Sequence, residues 1–517
     1  MLEKPRKISI IWILLLSLVI IGGILRFYRL SSQSYWMDEG YTVNAVLSVL
    51  DHGSTILDSG QNYSCPTYCY PAAYLVNLFG NSPSSYRLLS VLAGLIFIIA
   101  IFFITKKFFD KNIALLSTFF VTLSYWEIAW SRQARWYTLF TLLFWLALYF
   151  YYQSLYSNKR KYLNISLTAI FTVLAVITHG LGYLLPLIFI GWILIDQIFI
   201  QRKFNWKKSL AVVAVGAIIV WLFNLISNID VISYLFNNLD LHYVLPYYLN
   251  FYLRTYWLFI LFAIIAFFNR DSAYKKEIYF LLFILSAYLI PLSFFTDIVH
   301  YRYMFHLTPI FIMLGSMGML CVYRDIKPIY GRVIFWIATL GLFATVAGGV
   351  FIPETMYYLE SDNPETLDRP YYAYTPQPNW NAAYAFIRAN RATGDIIISS
   401  HPQFNKIFLG EAGYWIKYNY LGFDNRVEYS HDDHEYYVGA KIIDDLAELR
   451  ELLGDASQVP QVSKVTRVTK PHGFIVFDLM SIDGRIPQNI QEYIMTDLTL
   501  VFHEKTNEYS EIWVYRF

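Results

Sequence analysis

Two adjacent carboxylates, Asp38 and Glu39, stand in the segment Tyr35-Trp36-Met37-Asp38-Glu39-Gly40-Tyr41, just beyond a long apolar run. Carboxylates at the edge of an apolar segment are costly unless they are solvated, paired or used. One reading is a helix cap inside an aromatic belt; the other is a general base for a poor hydroxyl nucleophile. Three arginines occupy comparable positions. Ser131-Arg132-Gln133-Ala134-Arg135-Trp136-Tyr137 sets two of them three residues apart, which on a helix puts both on one face. His300-Tyr301-Arg302-Tyr303 supplies the third. A planar guanidinium fork matches phosphate oxygens. The structural alternatives are snorkelling to headgroups, pairing of Arg132 and Arg135 with Glu127, and pairing of Arg302 with Asp297. His179, just before Gly180-Leu181-Gly182, is either a hydrogen-bonding partner for substrate or an interfacial histidine satisfied locally. His431-Asp432-Asp433-His434 carries metal-binding residue types, but its polar surroundings and spacing read as a solvated loop. No metal ligands are assigned and no cofactor is expected, although a divalent metal is compatible with the acidic groups.

The elements that must position these residues are mostly apolar. The 517 residues are 56% hydrophobic and only 15% charged, against about 25% charged in soluble domains. A net charge of +2 gives no basic excess, so a nucleic-acid partner is not expected. About eleven stretches are long and apolar enough to span a membrane, near 8–29, 86–105, 112–130, 137–156, 162–179, 181–199, 209–226, 248–268, 278–296, 302–322 and 333–351. Lysines fall in every second connecting segment, beginning with the basic N-terminus. By the positive-inside rule the N-terminus is cytoplasmic and everything after the last span is extracytoplasmic, in a multi-pass plasma-membrane protein.

That orientation puts Asp38, Glu39, Arg132, Arg135, His179 and Arg302 on one outer side. The domain plan is a membrane domain at 1–352 with a long first outer loop at 31–85, a proline-marked linker at 353–379, and an extracytoplasmic α/β domain at 380–517. In the last, 380–390 and 440–453 read as helices, while 395–400, 473–477 and 511–516 read as strands. Cys65 and Cys69, close together in the first outer loop, are either bridged or two free thiols; Cys321 reads as a small apolar residue.

Taken in order and sidedness, the Asp38-Glu39 pair, the Arg132 to Tyr137 segment and Arg302-Tyr303-Met304-Phe305-His306-Leu307-Thr308-Pro309 resemble the GT-C glycosyltransferases. The likeness is to the bacterial branch related to protein O-mannosyltransferases and aminoarabinose lipid A transferases. Asn379-Trp380-Asn381-Ala382-Ala383 followed by Gly394-Asp395-Ile396-Ile397 resembles that branch's outer domain. The resemblance implies an inverting transfer from a polyprenyl-phosphate-linked sugar donor to a lipid, glycan or protein acceptor at the outer face. Asp38 matches the family's catalytic acidic position, with Glu39 assisting or positioning it. Arg132, Arg135 and Arg302 would hold the phosphate, with Tyr137, His179 and Tyr303 lining the substrate site. The rivals are a lipid or glycan transporter or flippase, and a non-catalytic scaffold. A transporter would place ionisable groups near the midplane on broken helices, often with an inverted repeat; here they gather toward one face and no repeat is seen.

Overall fold

The computed structural model describes residues 10–202, 206, 245–268, 273–294, 301–325, 328–347, 378–416, 430–431, 433–454, 471–482, 486–507 and 510–517. Among these, eight helical segments are long and apolar enough to cross a membrane. They begin with α1 (Ile10–Phe27), and the first loop then folds into α2 (Met37–His52) and α3 (Pro66–Phe79) before the long α4 (Pro83–Phe108). The expected third span is broken into α5 (Lys111–Leu123) and α6 (Tyr125–Ser131), bent by 57°. No proline or glycine marks the break. Ser124 is extended (φ −62, ψ 122) and serves as the N-cap residue of α6.

The bundle continues through α7 (Tyr137–Tyr156), α8 (Lys161–Thr178) and α9 (Leu184–Ile195), then α10 (Leu245–Phe268), α11 (Lys275–Phe294), α12 (Thr308–Asp325) and α13 (Pro328–Ala347). The expected span at 209–226 and the linker at 353–377 lie outside the described residues, and the last expected span falls on α13, whose apolar stretch is shorter than the others. Lipid is as apolar as a leucine side chain, so packing rather than water exclusion holds such helices together. Close approach shows this at Gly318 of α12, where an added Cβ would lie 1.8 Å from the Phe262 carbonyl oxygen of α10. Large rings fill the interior, with Trp130, Trp145 and Trp192 almost fully buried. Trp145 Nε1 donates to the His306 carbonyl at 2.9 Å, and Tyr252 donates to the Met304 carbonyl at 3.0 Å. These bonds fix the 3-10 turn Tyr301–Leu307 that carries Arg302.

The C-terminal region is an eight-stranded mixed sheet. Its elements are α14 (Trp380–Asn390), β1 (Ile396–Ser399), α15 (Pro402–Leu409), β2 (Tyr414–Ile416), β3 (Ser430–His431), β4 (His434–Glu435), β5 (Lys441–Ile443), α16 (Leu446–Leu452), β6 (Gly473–Asp478), α17 (Gln488–Asp497), β7 (Thr499–Asn507) and β8 (Ser510–Arg516). Strand order is β3-β4-β5-β2-β1-β6-β8-β7, with β5, β2, β1 and β6 parallel. The helix expected at 440–453 is a strand followed by a shorter helix. The β-branched Ile442 and Ile443 pair with Trp415 and Ile416 of β2, and Asp445 starts α16 by accepting from the Ala447 amide at 3.0 Å. An acidic cap thus divides what reads as one amphipathic run.

This domain docks on the first loop. Asn44 Nδ2 donates to the Gln403 carbonyl at 3.0 Å, Ser59 Oγ donates to the Tyr437 carbonyl at 2.9 Å, and Lys406 pairs with Asp58 at 2.5 Å. Gly40 is required at the closest point: a Cβ there would meet Gln403 Cγ at 2.8 Å and Phe404 Cε1 at 3.1 Å.

Candidate active site

Asp38 sits in the first turn of α2, where a carboxylate also gains from the helix dipole. The local geometry comes from its neighbour. Glu39, at the third position of the helix, reaches back to accept from the Trp36 amide at 3.1 Å. Glu39 is fully buried and also accepts from Arg87 Nε at 2.8 Å, Arg87 Nη2 at 2.9 Å and the Ala134 amide at 2.6 Å. Arg87, equally buried, donates further to the carbonyls of Leu30, Gln33 and Ser34. The Glu39 carboxylate is therefore committed to tying α2, the entry of α4 and the 132–136 segment together. Of the two parts expected for it, positioning is the one this geometry favours.

With that scaffold set, Asp38 stays partly exposed. Its side chain is 23% exposed, and its Oδ2 lies 3.4 Å from Arg135 Nη2 and 3.5 Å from Arg302 Nη1. Arg135 is held from several sides: Nη1 donates to the Asp38 carbonyl and Thr42 Oγ1 at 3.0 Å each and to Tyr63 Oη at 2.7 Å. Its guanidinium lies 4.1 Å from the Trp136 ring centre, and that of Arg302 lies 5.2 Å from Trp36 and 5.7 Å from Tyr303. Burial opposes the charge on Arg135, but Tyr63, Asp38 and Tyr137 outweigh it and raise its pKa above the ordinary value.

Behind the arginines, the His179 ring lies 5.5 Å from Tyr137 and 5.8 Å from Tyr303. Burial, with Arg135 and Arg302 nearby, lowers His179 to about 3. The ring is neutral at physiological pH. Its Nδ1 accepts from the Leu181 amide at 3.1 Å, so the remaining proton sits on Nε2 and makes that atom a donor.

The structure thus brings Asp38, Arg135, Tyr137, His179, Arg302 and Tyr303 into one cluster, and leaves Arg132 out of it. Arg132 is buried, and its Nη1 donates to the carbonyls of Leu25 (3.1 Å), Arg26 (2.9 Å) and Tyr28 (2.7 Å) at the end of α1. It satisfies a helix C-terminus instead of joining the phosphate-binding set expected of it. The same-face argument fails because α6 ends at Ser131 and the 132–136 segment is not helical. Glu127, offered as a partner for the arginines, accepts from Thr308 Oγ1 at 3.0 Å. Asp297 lies outside the described residues, and no cluster of three metal-ligating side chains occurs among those described.

Sequence reasoning missed Arg87 and Tyr437. Arg87 had a signal, a cation at the mouth of an apolar run. Tyr437, whose ring centre lies 4.3 Å from that of Tyr41 and 6.1 Å from that of Tyr63, arrives by domain docking and had none.

Comparison with known proteins agrees with this architecture. Residues 64–227 match the family described as dolichyl-phosphate-mannose-protein mannosyltransferase. ArnT from Cupriavidus metallidurans in the apo state has the same fold, with TM-score 0.60 over 98% of both chains at 12% identity. This chain has the GT-C fold. The Archaeoglobus fulgidus oligosaccharyltransferase shares the GT-C fold at TM-score 0.57 and 12% identity, over 92% of this chain and 70% of that one. Mycobacterial arabinofuranosyltransferase AftD matches at TM-score 0.50 and 11% identity, over 98% of this chain but 40% of its own. No curated protein matches this sequence.

Proposed function

We propose that this chain is a GT-C glycosyltransferase, moving a sugar from a polyprenyl-phosphate donor to an acceptor hydroxyl at the outer face of the plasma membrane, inverting the anomeric centre, with Asp38 as general base. The observation that carries the reading is the partly open Asp38 carboxylate flanked by Arg135 and Arg302. At 3.4 and 3.5 Å these contacts are longer than a charge-assisted hydrogen bond of about 2.8 Å, so Arg135 Nη2, on a fork fixed through its Nη1, and Arg302 Nη1 can each also meet a phosphate oxygen beside Asp38. ArnT from Cupriavidus metallidurans has been solved with undecaprenyl phosphate bound, which supports a lipid-phosphate donor here.

The proposed step balances simply. Asp38 takes the acceptor hydroxyl proton while the oxygen bonds to the anomeric carbon from the face opposite the phosphate. The bond from that carbon to the phosphate oxygen breaks, and the electron pair leaves with polyprenyl phosphate. Arg135 and Arg302 stabilise the charge gathering on the phosphate, so no strong general acid is needed. His179 Nε2, a donor in a neutral ring, would orient the sugar or phosphate. Two features support the outer face: the alternation of basic segments along the chain, and the Cys65–Cys69 disulfide at the start of α3, since disulfides persist in oxidising compartments.

The test is release of polyprenyl phosphate from a lipid-linked sugar by purified full-length protein in liposomes. Asp38→Asn should slow release by about 10²- to 10⁴-fold with an unchanged elution profile and thermal transition. Release at the wild-type rate would remove Asp38 from the mechanism.

A further inference from the structure

Tyr41 lies one helical turn along α2 from Asp38, on the same face. Its ring centre lies 4.3 Å from that of Tyr437, the planes tilted by 40°, and the C-terminal domain delivers Tyr437 on the turn after β4. Tyr63 closes the third side, 6.1 Å from Tyr437 and 5.9 Å from Trp136, while its hydroxyl accepts from Arg135. All three tyrosines are half-buried, each presenting part of a ring.

The turn that carries Tyr437 is built to hold it. Glu435 Oε2 accepts from the Tyr437 amide at 3.0 Å and from the Val438 amide at 2.6 Å, and Ser59 Oγ donates to the Tyr437 carbonyl at 2.9 Å. Gly439, in the left-handed region at φ +73, lets the chain pass against Ser59, where a Cβ would stand 3.7 Å from its Cα. An open groove lined by His52, Ser54, Ile56, Leu57, Asp58 and Gly60 adjoins this contact through the residues on either side of Ser59.

We propose that Tyr41, Tyr63 and Tyr437 form the acceptor subsite, that the acceptor is a carbohydrate, and that Tyr437 is its specificity-determining residue. A pyranose offers a face of C–H bonds, which suits the electron-rich face of an aromatic ring, and a rim of hydroxyls, which suits the phenol oxygens at the ring edges. The adjoining open groove adds Ser54 and His52 as partners for the hydroxyls of a further sugar unit. A sugar held beside Tyr41 would extend a hydroxyl toward Asp38, with Tyr63 and the Arg135 bonded to it at the same edge of the subsite. This assignment rests on the proposed transfer at Asp38. It also gives the C-terminal domain a direct part in substrate choice.

The experiment is equilibrium binding to the full chain in detergent micelles, read by saturation-transfer NMR with maltotriose, chitobiose and a hexapeptide containing serine and threonine as probes. At least one saccharide should receive saturation from tyrosine ring protons on its C–H face. Tyr437→Ala should weaken that saccharide by about threefold to tenfold, and Tyr437→Phe should hold it near wild type. Tyr41→Ala reads the same wall from the membrane domain and serves if Tyr437→Ala does not fold. Binding of neither saccharide, equal affinity in wild type and the alanine variants, or saturation passing to the hexapeptide instead would each overturn the proposal. Asp38→Asn should keep saccharide binding while losing transfer. Full transfer by Asp38→Asn beside a saccharide-blind Tyr437→Ala would retire the base and leave the subsite standing.

Discussion

Arg135 and Arg302 contact the same Asp38 oxygen but are held differently. Arg135 Nη1 makes three hydrogen bonds to α2 and Tyr63, so its fork defines a geometry and not only a charge. Lysine keeps the charge and loses the fork. Arg135→Lys should therefore lower single-turnover release of polyprenyl phosphate by about 10²-fold, the scale of losing one preorganised charge-stabilising group. A rate near wild type would show that Arg135 acts by charge alone. His179 makes a second case at this scale. Burial and the two arginines take it to about 3, so across pH 5 to 8 its proton count does not change. A rate profile over that interval should show no inflection near 6.5 from His179, and His179→Gln should leave the shape of the profile unaltered. A limb that vanishes in His179→Gln would mean the ring titrates there. Asp38, Arg135 and Arg302 were readable in the sequence because charge beside an apolar run has to be explained. Arg132 looked identical to Arg135 in those terms; the end of α6 at Ser131 separates them, and no residue type announces it.

At the scale of elements, the Glu39–Arg87 pair decides how the first loop meets the bundle. Both side chains are fully buried, and removing one partner of such a pair costs roughly 3–5 kcal/mol because the other charge is stranded. Arg87→Met should lower the apparent Tm of the purified protein by several degrees in scanning fluorimetry. Adding Glu39→Gln should recover part of the loss, since the double variant strands no charge. If instead Arg87→Met unfolds at the wild-type temperature but loses turnover, the pair belongs to the chemistry. Most spans were legible from length and hydropathy, because a bilayer sets the length of its helices. The bend between α5 and α6 was not, since its break has an extended Ser124 and neither proline nor glycine. The run at 440–453 misled for a related reason. Helical periodicity continues across Asp445, while the strand Lys441–Ile443 is created by its parallel neighbour β2, a non-local partner that periodicity cannot see.

For the whole molecule, the point of interest is that a site at one end of a helical bundle is completed by a domain encoded far along the chain. That part of the cluster was illegible: Tyr437 stands in an unremarkable polar stretch, and only the docking bonds from Ser59, Asn44 and Asp58 bring it to Tyr41. Docking of this kind should depend on pH through Glu435. Its carboxyl is 3% exposed, and burial, opposed by bonds from the Val438, Tyr437 and Gly439 amides, raises it from 4.5 to about 7. The folded chain then holds this proton more tightly than the unfolded chain. Its contribution to stability is fully present below about 4.5 and is lost as pH rises toward 7, by on the order of 3 kcal/mol for this one group. Wild type should show an apparent Tm that declines between pH 5 and 7. Glu435→Gln, which keeps an acceptor oxygen for the Tyr437 and Val438 amides but has no proton to lose, should be flatter over that interval and more stable than wild type at pH 8. The measurement is tryptophan fluorescence melting of the full chain in detergent, where Trp380 and Trp415 report on the C-terminal domain. Parallel curves for the two proteins would mean that the Glu435 carboxyl ionises in the folded state no differently from in the unfolded chain, and that the turn holding Tyr437 is fixed by Ser59 and Gly439 without it.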